Sequence, residues 1–168
     1  MNAPHIQFAI DGNCLYLKVA GVLRHNGAST LESFVSSVFN QTPLDMAVID
    51  LIETEFIDST NLGILASIAI KLNKTCHHKP LIVTGSEDIT LLLNGMGFDH
   101  YFEIVDESAG PEAPPYCGID LANRTPATLE GITLQAHKNL AEMNTKNREA
   151  FKDVIELLEK ETSQNTTS

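Results

Sequence analysis

The chain has 168 residues, of which 43% are hydrophobic, and it carries a formal net charge of -11. This length and composition fit one compact domain with an appendage, and a core of this size needs neither disulfides nor metals. The negative charge argues against a nucleic-acid partner and against docking on an anionic membrane, because both need clustered Lys and Arg.

The sequence also lacks the signals of export and of metal binding. No apolar stretch reaches the length that spans a bilayer, and the N-terminus shows no secretory signal. Cys14, Cys76 and Cys117 are odd in number and form no CxxC pair, so neither a disulfide framework nor a zinc site is predicted. We therefore expect a cytoplasmic protein without a metal or other cofactor.

The first elements predicted are two strands joined by a hairpin. Asp11-Gly12 lies between the apolar runs 6–10 and 14–20, and such a pair favours a two-residue turn. Residues 30–40 repeat apolar side chains with a helical period, and residues 46–51 form a short apolar run typical of a buried strand.

The next elements continue the alternation of helix and strand. The patterns predict a helix over 61–72, a strand over 81–84, a short helix over 89–94 and a strand over 101–105. The order β-β-α-β-α-β-α-β predicts an α/β fold with a mixed, largely parallel sheet flanked by helices. Residues 107–125 are rich in Pro and Gly and predict a linker after a domain of residues 1–106.

The last part of the chain predicts a C-terminal helical extension. Apolar residues recur at a helical period over 126–162, with Thr125-Pro126 as a start signal and Asn147 as a polar interruption. The polar residues 163–168 are expected to be disordered. Three roles stay open for this amphipathic helix: packing on its own sheet domain, a homodimer contact, or recognition of a partner.

The most informative residues lie between the strand at 46–51 and the following helix. Asp58 is a candidate N-cap, and Ser59 and Thr60 open the first helical turn after an acidic loop that carries Glu53 and Glu55. A phosphate on a hydroxyl there would add a charge of about -1.5 to -2, which a helix N-terminus tolerates and a docked partner would not. The alternative interpretation is that both hydroxyls are simply helix caps.

The element order and the hexapeptide Asp58-Ser59-Thr60-Asn61-Leu62-Gly63 resemble STAS domains, specifically the anti-sigma factor antagonists with the motif Asp-Ser-Ser/Thr-Gly-Leu-Gly. The resemblance covers about residues 5–106 and includes Gly21-Val22-Leu23, which is similar to the family's Gly-x-Leu element. Asn61 stands where the family usually has glycine, and minimal members lack the C-terminal helix.

The resemblance implies a bacterial partner switch without catalytic activity of its own. A serine kinase would phosphorylate Ser59, with Thr60 as the second choice, and a PP2C-type phosphatase would remove the phosphate. The unphosphorylated form would bind an anti-sigma factor and so release a sigma factor. The partner-binding residues implied are Leu23, Glu55, Asp58, Ser59, Thr60, Asn61 and Leu62.

Two other functions are compatible with parts of the sequence. A STAS scaffold module that binds other signalling proteins fits the same motif, and weak nucleotide binding is the more distant alternative. A catalytic pair at Glu53 and Glu55 is disfavoured against an acidic rim, and no nearby His supports a nucleophilic Ser59. His77-His78 lacks a third metal ligand in the sequence.

Overall fold

The computed structural model describes residues 4–119 and 129–165. Helices and strands follow one another along the chain, with short 3-10 turns between some of them. In chain order they are β1 His5–Asp11, β2 Cys14–Leu23, α1 Ala28–Gln41, β3 Met46–Leu51, β4 Thr54–Ile57, α2 Ser59–Asn73, β5 Leu81–Thr84, α3 Glu87–Gly95, β6 Glu103–Asp106, β7 Cys117–Gly118, α4 Leu129–Met143 and α5 Thr145–Asn165.

The strands form a mixed sheet in the order β6-β5-β3-β2-β1-β7. β2, β3, β5 and β6 run parallel, whereas β1 is antiparallel to both β2 and β7. This arrangement confirms the predicted α/β class, and the predicted bounds of β3 and β5 agree with the structure. The predicted hairpin is also present, although its two-residue loop is Gly12-Asn13, one residue later than expected.

One strand was not predicted from the sequence. The segment interpreted as an acidic loop contains β4, which pairs in parallel with the second half of β2. The first half of β2 pairs with β3, and the register shifts at Gly21, where one partner replaces the other. β4 therefore extends the sheet beside β2 and delivers the chain directly to the start of α2.

Helix α2 lies in the interior of the molecule. All of its side chains from Thr60 to Ala69 are buried, which is the pattern of a helix covered on more than one face. α1 packs beside it, and α4 packs along it. The C-terminal extension is thus part of the packing around α2, the first of the three roles left open by the sequence.

The C-terminal extension consists of two helices instead of the one helix predicted over 126–162. α4 ends at Met143, and Asn144 caps α5 by accepting a hydrogen bond from the backbone N–H of Asn147 at 2.7 Å. The two helices are antiparallel, since Lys138 pairs with Glu159 at 2.9 Å and Asn165 donates to Glu130 at 3.5 Å. We call α4 and α5 together the C-terminal hairpin.

The polar residue that interrupts the apolar stripe explains the break. Asn147 is only 2% exposed, and its Nδ2 donates to the carbonyl oxygens of Met96 and Leu140 at 2.8 and 3.0 Å. The turn of the hairpin is therefore attached to the end of α3. Gly97 makes this approach feasible, because it has a φ of +80° and a Cβ there would lie 2.1 Å from the Asn144 side chain.

Several remaining predictions concern the linker and the tail. Within 107–119, residues 107–109 form a 3-10 turn, and β7 adds an edge strand to β1. The proposed N-cap at Thr125-Pro126 and residues 166–168 lie outside the described residues, and 163–165 belong to α5. None of the described helices combines the length and apolarity needed to cross a membrane.

The close packing of α4 on α2 yields a first prediction. A Cβ at Gly63 would lie 2.1 Å from the backbone oxygen of Ala136, so Gly63→Ala must displace α4. We expect this variant to lose about 1–3 kcal/mol of unfolding free energy, the usual cost of overpacking, although alanine is the better helix former. Urea denaturation measures the loss.

Gly95→Ala is the matched control, because Gly95 ends α3 and a Cβ there meets no atom within 4 Å. It should leave the free energy of unfolding unchanged or slightly higher. Equal stability of the two variants would contradict the close contact between α2 and α4.

Candidate functional site

The candidate site is the N-terminus of α2, where Asp58 acts as the N-cap that the sequence predicted. Its backbone is extended, and its Oδ1 accepts a hydrogen bond from the backbone N–H of Asn61 at 3.0 Å. This bond satisfies one of the N–H groups left free at a helix start. Ser59 follows as the first helical residue and Thr60 as the second.

Asn61 connects this cap to β2. Its side chain is fully buried, and Nδ2 donates to Asp58 Oδ1 at 2.9 Å and to the carbonyl oxygen of Arg24 at 3.0 Å. The backbone N–H of Asp58 donates in turn to the carbonyl oxygen of Leu23 at 3.2 Å. The start of α2 is therefore held against the end of β2, and the residue that departs from the family motif is one of the ties.

The two candidate hydroxyls differ in access. Ser59 is half-buried, whereas Thr60 is only 5% exposed. A modifying enzyme can therefore approach the Ser59 side chain from solvent more readily than that of Thr60. Ser59 is thus the more accessible of the two hydroxyls, and which of them accepts a phosphate stays a prediction.

His137 of α4 reaches the same hydroxyl. The distance from Ser59 Oγ to His137 Nε2 is 3.0 Å, which is hydrogen-bond contact between residues 78 positions apart. His137 was not predicted from the sequence, because only a histidine close to Ser59 in the chain was expected to reach its hydroxyl. The available signal was a histidine placed beside Ala136 and Leu140 in the apolar stripe of the last segment.

The imidazole of His137 sits in an apolar environment. It is 6% exposed and stacks on the ring of Phe151 with centroids 5.2 Å apart, and its Nδ1 is buried without a hydrogen-bond partner. Burial lowers the pKa of His137, and the Asp58 carboxylate acts in the opposite direction. The lowered pKa favours the neutral ring at pH 7.

A nucleophilic serine needs more than this contact. In serine hydrolases a third group holds the base, whereas Nδ1 of His137 has no partner. Glu53 accepts from Lys18 Nζ at 2.7 Å, and that hydrogen bond lowers the pKa of its carboxyl. Within 4–119 and 129–165, no group of three His, Cys, Asp or Glu side chains could hold a metal ion.

Exposed residues surround the start of α2. Phe56 of β4 is 41% exposed, and the Arg24 guanidinium lies 4.7 Å from its ring centroid. Glu55 is exposed, and Asp58 and Ser59 are half-buried. We call these five residues the exposed rim. Aromatic residues and arginine are both enriched in protein interfaces.

The rim contains some of the partner-binding residues that the resemblance implied and adds two that it did not. Glu55, Asp58 and Ser59 belong to it, and Arg24 and Phe56 are the additions. The remaining four are buried in this conformation, with exposed fractions of 5% or less: Leu23, Thr60, Asn61 and Leu62. Direct partner contact by these four stays a prediction that would require movement of the surrounding chain.

The cap yields a second prediction. Asp58→Ala removes the acceptor of two Asn61 hydrogen bonds and should cost about 1 kcal/mol of unfolding free energy, within the usual range of about 0.5–2 for lost caps. Chemical denaturation measures the cost. Asp58→Asn keeps an acceptor oxygen and removes only the charge, so it should lose less; an equal loss would mean that charge, not the acceptor, stabilises the turn.

The imidazole yields a third prediction, on pH. Because burial lowers the pKa of His137 from its ordinary 6.5, the unfolded chain binds the proton more readily than the folded one. The contribution of a neutral His137 is therefore complete above about pH 6.5 and is lost as the pH falls towards the lower folded pKa.

Thermal unfolding of the wild type and of His137→Gln, at pH 8 and at pH 5.5, measures this contribution. Glutamine keeps an amide near the position of Nε2 but does not titrate. The wild type should lose more stability than the variant over this interval, and an identical loss would contradict the assignment.

The comparisons with known proteins identify the fold. No family model and no curated protein matches the sequence. Among solved structures, the unphosphorylated form of the anti-sigma factor antagonist SpoIIAA matches with a TM-score of 0.54 and 13% identity, over 61% of this chain and 90% of that chain. The phosphorylated form of SpoIIAA, a Bacillus cell fate determinant, matches with a TM-score of 0.51 and 13% identity, over 61% and 93%. The chain therefore has the STAS fold of the anti-sigma factor antagonist SpoIIAA, extended by a C-terminal helical hairpin.

Proposed function

We propose that this protein is a phosphorylation-regulated anti-sigma factor antagonist. In its unphosphorylated form it binds an anti-sigma factor and so releases a sigma factor. A serine kinase phosphorylates Ser59 and ends the interaction, and a PP2C-type phosphatase restores it. The protein itself catalyses neither step.

The observation that carries this proposal is the half-buried hydroxyl of Ser59 as the first residue of α2, on a fold shared with SpoIIAA. A phosphate at a helix N-terminus gains from the helix dipole and the free N–H groups, so the domain can accept it without unfolding. The SpoIIAA structures include a phosphorylated form, which supports the same chemistry on this fold.

The exposed rim supplies the contact surface for the partner. Phe56 and Arg24 offer an apolar ring and a cation, while Glu55 and Asp58 bring negative charge close to Ser59. A phosphate on Ser59 would add about two more negative charges beside these carboxylates. A partner docked on the rim would then meet like-charge repulsion and a desolvation cost, and a loss of ~3 kcal/mol weakens binding more than a hundredfold.

The fourth prediction tests this function. After incubation with the cognate serine kinase and ATP, peptide mass spectrometry should find phosphate on Ser59, and Ser59→Ala should abolish it. Thr60→Ala should still be phosphorylated, because Thr60 is the less accessible hydroxyl. Phosphate found only outside Ser59 and Thr60 would rule the mechanism out.

Binding to the anti-sigma factor provides the second half of this test. The wild type and Ser59→Ala should both bind it in a pull-down or by calorimetry, whereas Ser59→Asp should bind at least tenfold more weakly. Phe56→Ala should also weaken binding, because it removes the exposed ring from the rim. Equal affinity of Ser59→Ala and Ser59→Asp would count against regulation by charge.

A further inference from the structure

The C-terminal hairpin reaches the candidate phosphoacceptor itself. α4 lies along α2 so closely that the Ala136 backbone passes over Gly63, and Asn139 Nδ2 donates to the Gly63 carbonyl oxygen at 3.1 Å. One turn before Gly63, Ser59 Oγ is 3.0 Å from His137 Nε2. Helix α4 of the hairpin therefore packs against Ser59 as well as against Gly63.

A phosphoryl group is incompatible with this contact. It would add a phosphorus atom and three further oxygens to Ser59 Oγ, where the imidazole already lies at hydrogen-bond distance. Either the phosphorylated side chain rotates away and gives up His137, or α4 moves. In both cases the hydrogen bond that joins Ser59 to the hairpin is lost.

Protonation of His137 offers no easy compensation. An imidazolium facing a phosphate would carry two N–H donors, and the structure supplies an acceptor for only one, because Nδ1 is buried without a partner. The cation would also have to form in the apolar surroundings of Phe151. A buried charge with an unsatisfied donor is unfavourable, so the closed arrangement does not accommodate the phosphate as an ion pair.

The charge already present around Ser59 acts in the same direction. Asp58 lies next to it in the chain, and the charge of its carboxylate acts on the same imidazole by raising the pKa of His137. The closed hairpin would keep part of the phosphate away from water beside this carboxylate. An open hairpin would let water solvate both groups.

We propose that the C-terminal hairpin is a charge-sensitive cover of α2, docked while residue 59 is a neutral serine and released when it carries negative charge. This inference deepens the proposed function, since it relies on that function for the phosphate at Ser59. Release would uncover the apolar residues with which α4 packs: Ile132, Ala136, Leu140 and Met143. Phosphorylation would thus remove one binding surface, the exposed rim, and uncover another.

The fifth prediction tests this device with the full chain and needs neither kinase nor anti-sigma factor. Hydrogen exchange read by mass spectrometry should show α4 amides exchanging at least tenfold faster in Ser59→Asp than in the wild type. Ser59→Ala, which loses the hydrogen bond without gaining charge, should exchange less than threefold faster. The amides of β2 and β3 should keep wild-type rates in all variants.

Ser86→Asp is the matched control. Ser86 is the half-buried N-cap of α3, so the same charge enters at another helix start on the same domain. This variant should leave the exchange of α4 unchanged. A general effect of added charge would accelerate it as much as Ser59→Asp does, and that result would overturn the inference.

Two further results would also overturn it: wild-type exchange of α4 in Ser59→Asp, or equal acceleration of β2, β3 and α4, which reports unfolding of the whole domain.

Chain phosphorylated at Ser59 provides a second sample with the full charge of the phosphate and should behave as Ser59→Asp does. If the α4 amides stay protected in this sample, the inference about the hairpin is wrong, although phosphorylation of Ser59 by the kinase is not contradicted. Phosphate found only outside Ser59 and Thr60 would remove the proposed function without affecting the exchange measurement.

Discussion

The position of the candidate site depends on one carboxylate oxygen. Asp58 Oδ1 accepts from both the backbone N–H and the side-chain Nδ2 of Asn61, at 3.0 and 2.9 Å. Asn61 also donates to the Arg24 carbonyl oxygen, so this oxygen and the buried amide together join the end of β2 to the start of α2. The location of Ser59 within the exposed rim, and its direction towards α4, both follow from this junction.

The features that sequence reasoning predicted correctly are those that local patterns determine. The cap at Asp58, the buried strands β3 and β5 and the alternation of strands with helices each follow from residues close together in the chain. β4 was missed because its four residues, two polar and then two apolar, lack the alternation typical of a strand and stand among acidic neighbours as in an exposed loop. The pairing with β2 that makes it a strand comes from a distant part of the chain.

The features that the sequence did not reveal are contacts between distant segments. Nothing near Ser59 points to His137, which lies 78 residues away on a helix whose docking surface is α2. Asn61 stands where the family motif has glycine, yet it does not adopt a positive φ, which among the described residues is found only at glycines. Its role is to hold two backbone segments together from a buried position, and that role appears only once the two segments are placed side by side.

The balance of forces on the hairpin explains why, in our proposal, negative charge at residue 59 releases the hairpin whereas loss of one hydrogen bond does not. Ile132, Leu140 and Met143 are buried, and each buried apolar side chain contributes about 1.5–3 kcal/mol before the cost of ordering the chain. A neutral hydrogen bond such as that between Ser59 and His137 contributes about 0.5–1.5 kcal/mol. Loss of that bond alone leaves most of the packing energy, whereas a poorly solvated phosphate opposes the packing itself.

The attachment of the hairpin turn at Met96 gives this arrangement a mechanical consequence. Asn147 secures the turn at one end of α4, while the Leu129 end joins the sheet domain through residues 120–128 of the chain. At a rise of about 1.5 Å per residue, α4 is an arm of about 22 Å, and its ends would fray once it leaves α2, because a helix of 15 residues is only marginally stable alone. Pivoting about the secured end by about 15° would swing its far end by about 6 Å and would move His137, which is closer to that end, by about 2 Å, enough to break its hydrogen bond to Ser59. A small displacement at Ser59 would therefore become a larger displacement at the Leu129 end of α4, and the sheet would not have to rearrange.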